Sequence, residues 1–388
     1  MATSYQAPGV YIEEAPTVAP ISGVGTSTPA FIGVWADAAQ PDPKVVPIQT
    51  VVKVTNFTEF SDSFGGFTTT NDAQNYLAHA VRGFFTNGGT ACYVIRAKDE
   101  ITVKEALGKL EAYDDIAMIA APGIPADMSK PGAIVDIVAH CTLLQDRIAI
   151  FDTPNPANIA EIAKLLPGAQ GTPPFQATDF AALYTPWLVV QDPASKAMIP
   201  VPPSGHIAGV YARTDTTRGV HKAPANETVL GVIRASIPIG RSQQAQINLQ
   251  GANCIRLMNG ALRVWGARTL AGDSGTRAHF KYVPIRRLMS FLYKSIDHGT
   301  QWSVFEPNGP DLWAKITRNV GSFLTGVWAQ GALAGTVPQE AFYVKCDAEN
   351  NPPDQRANGL LVVEVGVAVL YPAEFVVFKI QHKSALSK

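Results

Sequence analysis

The chain has 388 residues, of which 46% are hydrophobic and 16% charged; 31 Lys and Arg stand against 32 Asp and Glu, a net charge of −1 at pH 7. At roughly 100–200 residues per domain this length holds two or three domains, and the charge balance supplies no general attraction to nucleic acid or to an anionic membrane. Low net charge also removes the long-range repulsion that would keep copies of one chain apart. Four cysteines, at 92, 141, 254 and 346, are too widely spaced for a zinc knuckle and predict buried free thiols made in a reducing compartment. The first residues lack the basic start and apolar stretch of a signal peptide. The best apolar run, 360–370, is cut by Glu364 and falls short of the ~18 residues a membrane span needs, so no membrane insertion is expected.

Residues 1–29 form an arm punctuated by Pro8, Pro16, Pro20 and Pro29. Its one strand-like piece runs from Val10 to Glu14, with Val10 and Ile12 facing one way and Tyr11 and Glu13 the other. Residues 30–235 alternate strand-like and helix-like pieces. Asn71 or Asp72 caps a helix whose apolar positions run from Ala73 to Phe84, and the strand Cys92 to Arg96 follows. Further strands are predicted at Ile116–Ala120, Ile148–Phe151 and Trp187–Val190, and helices near 103–112, 131–144 and 157–166. The Pro- and Gly-rich stretches 167–175 and 199–205 read as loops. This alternation predicts an α/β domain with a largely parallel sheet.

Beyond 236 the pattern changes. Pro284 opens a helix with the stripe Ile285, Leu288, Met289, Leu292 and Ile296. A second helix from Asp311 carries Leu312, Ile316, Val320, Phe323, Leu324 and Val327, and Arg287 and Arg318 fall opposite the two stripes. Two strands, Phe342–Cys346 and Leu360–Leu370, flank a polar turn at 348–359. A last strand, Phe375–Ile380, lies beyond Pro372, so the chain ends as it begins, in an extended arm.

Enzyme-like fragments are weak. GDSG at 272–275 sits between helical segments rather than in the paired barrels a serine nucleophile of that type needs. GVGTST at 23–28 lacks the third glycine of a phosphate loop and any preceding strand, and reads as a flexible hinge. Seven histidines, including His79, His140 and His206, show no HxH or HxxxH spacing, which leaves them surface or cap roles. No catalytic, cofactor-binding or metal-binding residue is expected. Arg263, Arg268, Arg277, Lys281, Arg286 and Arg287 form a basic cluster with two open readings: a solvated face with intramolecular ion pairs, or a partner surface, since arginine offers a rigid fork to carboxylates.

The motifs VWGARTL (264–270), YVPIRRL (282–288), QWSVFEPNGPDLW (301–313), GALAG (331–335), AFYVKCD (341–347) and PAEFVVFKI (372–380), in that order, resemble contractile tail sheath proteins of bacteriophages and phage-tail-like injection systems. GVYIEEAP (9–16) and FFTNGGTACYVIRA (84–97) fit the same family. The resemblance implies an α/β fold, α+β overall: a lattice-forming C-terminal domain (236–371) with a mixed sheet and helices, an inserted α/β domain (30–235), and extended strand arms at 1–29 and 372–388. It implies a structural subunit that polymerises as a helical sleeve around an inner tube and contracts to drive the tube through a target envelope. Its partners would be copies of itself, the inner tube protein, and baseplate and terminator proteins, with no direct contact to nucleic acid. It would be made in the bacterial cytoplasm and carried in a phage tail or a released injection particle, in a compact form without large additional domains. In sheaths the arms add strands to adjacent copies. That assigns Val10, Tyr11 and Ile12 in one arm and Phe375, Val377 and Phe378 in the other to contacts between subunits, unless both arms pair within their own chain. Arg286, Arg287 and Arg318 are candidates to face the tube or a neighbour. Two other classes stay open: an α/β enzyme acting on a nucleotide or sugar, with a polar pocket around Asp152 or Asp192, and a non-contractile tube or shell protein.

Overall fold

The computed structural model describes residues 19–35, 45–69, 72–124, 131–155, 158–273 and 277–377. They fall into two compact units: Gly23–Lys294 with the segment from Val369, and Ser295–Ala368 with the segment up to Ser22.

In the first unit the elements are β1 (Pro29–Val34), β2 (Val52–Val54), α1 (Phe57–Phe64), α2 (Ala73–Thr86), β3 (Cys92–Ala97), α3 (Val103–Leu110), β4 (Met118–Ala120), α4 (Gly132–Leu144) and β5 (Ile148–Asp152). There follow α5 (Ile159–Leu165), β6 (Ala181–Thr185), β7 (Leu188–Gln191), β8 (Met198–Val201), α6 (Ser204–Arg218), β9 (Arg234–Ala235), α7 (Arg241–Asn248), β10 (Ala252–Met258), β11 (Ala261–Trp265) and the start of α8 (Val283–Thr300). Eight strands make one sheet in the order β11-β10-β6-β5-β4-β1-β3-β2. The pairings from β10 to β3 are parallel, and β11 and β2 add antiparallel edges. The strands β10 and β11, beyond the 235 boundary expected from the sequence, complete the sheet of the residues before it.

Period-two alternation feeds a separate core on each face. Ile32, Ile95, Ile119, Phe151 and Leu183 join residues of α3, α4, α5 and α7. Phe31, Val94, Met118, Ile150 and Tyr184 join α1, α2 and α6. The sequence missed α6, and its expected loop at 199–205 holds most of β8 and the start of that helix. The reason is burial on all sides: Ser204 to Ala212 are all buried, so no polar face marks a helical period. Glycine lets α6 lie against α2; a Cβ on Gly205 would stand 2.3 Å from the Ala80 Cα. Cys92, Cys141 and Cys254 are buried free thiols as anticipated, whereas Cys346 is half-buried.

The second unit holds the end of α8, then α9 (Pro310–Ala329), α10 (Pro338–Ala341), β12 (Phe342–Lys345), α11 (Pro353–Ala357) and β13 (Glu364–Val367). The stripe residues Leu312, Ile316, Val320, Leu324 and Val327 of α9 are buried. β12 and β13 pair antiparallel, from Phe342 beside Val367 to Lys345 beside Glu364. Only the middle of the run expected as a strand over Leu360–Leu370 joins this ladder. Asn351, fully buried, holds the turn by accepting from Val362 N (2.7 Å) and donating to Val362 O (3.0 Å).

Gly205→Ala should cost about 1–3 kcal/mol by forcing α6 off α2, measured as a lowered urea midpoint; an unchanged midpoint would show that the two helices separate freely.

Candidate functional site

The enzyme reading meets sealed carboxylates. Asp152, at the end of β5, accepts from Ser204 N and Ser204 Oγ, both at 2.7 Å, and so caps the start of α6. It is 2% exposed, and burial pushes its carboxyl up to about 7. Asp192, also buried, accepts from Ser195 Oγ at 2.6 Å and meets His79 Nε2 at 3.2 Å. Serine and histidine bind the same carboxylate rather than each other, so His79 is not placed to take the Ser195 proton. The group closes a turn. Burial pushes His206 down to about 3 and, with nearby Arg147, His140 to about 4. The surface or cap roles expected for the histidines therefore fail for His79, His140 and His206, all buried. The expected hinge at 23–28 is pinned as well: Thr26 Oγ1 donates to Asp215 (2.7 Å) and Thr26 O accepts from Arg287 (2.8 Å). Among the described residues no cluster of His, Cys, Asp and Glu has the arrangement of a metal site, and no helix is long and apolar enough to cross a membrane. Ser274 of GDSG lies outside the described residues.

All six members of the basic cluster find partners inside the chain. Arg263 donates to Asn226 O (2.9 Å). Arg277 and Arg286 share Asp179 (2.7 and 3.1 Å), and Arg286 lies 4.5 Å from the ring centres of both Phe180 and Phe280. Arg287 grips Asp215 with two nitrogens at 2.8 and 2.6 Å. Lys281 and Arg268 share Asp273. The helical spacing put Arg287 opposite the apolar stripe, but α8 is enclosed over its first turns, so Arg286 and Arg287 are 7% and 4% exposed. Their guanidinium groups are committed within the chain and do not face outward. Arg318 on α9 is exposed and keeps its candidacy.

The arms present a different chemistry. Val10, Tyr11, Ile12 and Phe378 lie outside the described residues. At the start of the described residues, Asn319 of α9 accepts from Ile21 N and donates to Ala19 O, each at 3.3 Å. Near the other end Phe375 and Val377 are 71% and 78% exposed. The residue before them, Glu374, is held by Arg268 Nε (2.8 Å) and Nη2 (2.7 Å), Asn248 Nδ2 (2.9 Å) and Tyr282 OH (2.9 Å). Burial alone would raise its carboxyl, yet these bonds hold it below the ordinary carboxylate range. Sequence reasoning missed Glu374 because its donors lie 92 to 126 residues away. In the second unit, β12 and β13 are a two-stranded sheet, so each has one backbone edge without a strand among the described residues. Such a pair is marginal alone and is a template for a further strand.

Comparison with known proteins gives a consistent set. Residues 99–270 match the family described as phage tail sheath protein central domain, and residues 276–383 the phage tail sheath C-terminal domain. The tail sheath protein of Burkholderia phage BcepMu is 27% identical over 258 residues, 64% of this chain and 52% of that protein. The chain thus spans about half the length of that relative. The sheath of the extracellular contractile injection system PVC, solved in its contracted state, superposes with a TM-score of 0.78 at 27% identity, covering 98% of this chain and 99% of that one. The contracted helical sheath of the anti-feeding prophage gives 0.77 at 27% identity, with 98% and 100% covered. A chain of that particle's baseplate structure gives 0.76 at 28% identity, with 98% and 100% covered.

Two substitutions test this account of the buried charges. Arg287→Met should cost about 3–5 kcal/mol because Asp215 stays buried without its counter-charge, read from denaturant unfolding. Asp152 keeps a proton in the fold that the unfolded chain releases, so its contribution is complete below the unfolded value of 3.8 and is lost as pH rises through about 7. The melting temperature should fall less between pH 4 and 8 in Asp152→Asn than in the unchanged chain; parallel curves would refute the shift.

Proposed function

The chain belongs to the contractile tail sheath family, and from that premise we propose that it is the structural subunit of a helical sleeve around an inner tube, which shortens to drive the tube through a target envelope. The observation that carries this reading is the match between the chain's ends and its smaller sheet. Among the described residues β12 and β13 leave two open edges, and the sequence has alternating apolar residues near each end. Strand addition satisfies both at once, the arms of neighbouring copies completing the sheet. Phe375, Val377 and Phe378 at one end and Val10, Tyr11 and Ile12 at the other supply the side chains that alternate across it. About five ladder hydrogen bonds at ~1 kcal/mol net each contribute on the order of 5 kcal/mol per arm before ordering costs. Links of that size hold a mesh together while subunits rotate against one another.

The unit carrying β12 and β13 then forms the lattice, and the α/β/α unit is the body it carries. Contraction needs no nucleotide: interfaces with two arrangements store the difference in free energy at assembly. The partners are copies of the same chain, an inner tube protein that Arg318 is free to approach, a baseplate that triggers the change and a terminator that caps the sleeve. The anti-feeding prophage matches, one from a baseplate and one from a sheath, support the link to both structures. The site of action is a phage tail or a released injection particle.

Electron microscopy of the chain produced with its genomic neighbours should show striated sleeves in long and short forms. Dispersed particles, with tube and baseplate proteins present, would overturn the proposal, and sleeves of one length only would point to a non-contractile tube. Removing residues 1–18 should leave a folded subunit, judged by circular dichroism, that cannot build linked sleeves.

A further inference from the structure

Three of the motifs scattered along the sequence converge on one carboxylate. Arg268 comes from VWGARTL, Tyr282 from YVPIRRL and Glu374 from PAEFVVFKI; Asn248 at the end of α7 completes the set. The two oxygens of Glu374 accept four hydrogen bonds, Oε1 from Asn248 and Arg268 Nε, Oε2 from Arg268 Nη2 and Tyr282 OH. That is the full accepting capacity of a carboxylate. The socket is rigid on its own side too: the Arg268 side chain is 2% exposed, and Asp273 holds its remaining terminal nitrogen at 2.7 Å. Lys281 binds the other Asp273 oxygen at 2.7 Å.

The backbone around Glu374 has no comparable hold. Among the described residues, Tyr371 to Val377 join no strand and make no backbone hydrogen bond. Tyr371, Phe375, Val376 and Val377 are all more than half exposed, at 56%, 71%, 68% and 78%. A side chain thus fixes this stretch where its backbone does not. We propose that the socket of Arg268, Tyr282 and Asn248 is the fixed root of the C-terminal arm, pinning Glu374 so that the strand offered to another copy begins at Phe375 in a single register. Register matters because a slip of one residue along the acceptor exchanges the faces of every following side chain, placing Val376 where Phe375 belongs. An arm tied at one residue also transmits tension to the body of its own subunit when neighbours shift.

This inference rests on the strand-donating reading of the arm, and the experiment separates the two. The full chain is produced with its tube and baseplate neighbours in four forms: unchanged, Glu374→Ala, Glu374→Gln, and truncated after Glu374. The yield of sleeves that stay linked through contraction is measured by sedimentation and microscopy, and the free subunit's melting temperature is measured in parallel. Glu374→Ala and the truncation should each lower the linked yield on the order of tenfold or more, while the subunit's melting temperature stays close to that of the unchanged chain. Glu374→Gln, which keeps an acceptor oxygen for Arg268, should fall between. Glu374→Ala sleeves at full yield beside a failing truncation would overturn the root and leave the arm's donation standing. Truncated chains that build linked sleeves would bring down the donation itself. A fall in yield matched by a collapse of subunit melting in both Glu374 variants would reduce the socket to a folding contact and overturn its positioning role.

Discussion

The hydrogen-bonding groups at the edge of a strand need partners, and two of the three sheets among the described residues, the eight-stranded and the two-stranded, meet that need differently. The eight-stranded sheet guards its edges. Along β11 the segment 226–229 covers the edge through Asn226 N to Val264 O, Val264 N to Glu227 O and Val229 N to Leu262 O, at 2.7 to 2.9 Å. At the other edge β2 is three residues long and carries Lys53 at its centre, a charge that discourages a further strand. In the two-stranded sheet β12 and β13 are four residues long and carry Lys345 and Glu364 at their ends, and among the described residues no segment pairs along their outer edges. Among the described residues the edge of β11 is covered while those of β12 and β13 are not, a difference that fits the proposed strand exchange.

Buried arginines organise the first unit. Arg268, Arg286 and Arg287 bind acids brought from distant parts of the chain, Glu374, Asp179 and Asp215. Replacing such pairs with apolar residues often leaves stability unchanged, so their value lies more in geometry than in free energy. A planar guanidinium with several donors fixes the direction from which a carboxylate approaches. Here that fixes where the start of α8 sits against Asp215 and Thr26, and where the segment after Val369 is held at Glu374. Energy spread over many modest contacts, with orientation set by a few rigid ones, fits the proposed role of a subunit that rotates as a body.

Local pattern determined much of this. The helix of 73–86, the parallel strands through Ile95, Ile119 and Ile150, and the two long helices after Pro284 and Pro310 were legible because each buries a stripe or an alternating face whose period is written in neighbouring residues. The strand expected from Phe375 to Ile380 is not formed over its described part, 375–377. The motif series pointed to the family because it preserves those patterns in order.

Tertiary structure decided what neighbouring residues cannot encode. α6 was invisible because a helix surrounded by protein has no polar face to mark its period. The basic cluster read equally well as a partner surface or an internal network, and only the fold brought Asp179, Asp215 and Glu374 to it. Helical spacing put Arg287 opposite the apolar stripe, yet the packing of the surrounding chain enclosed that face as well. That β12 and β13 each have a strand neighbour on one side only among the described residues is likewise a fact of topology, since no residue type announces it. The sequence by itself determined which segments can pair and bury; the tertiary structure decided which carboxylate each arginine holds and which edges stay open, because charge partners and strand neighbours meet across distances along the chain that local pattern does not span.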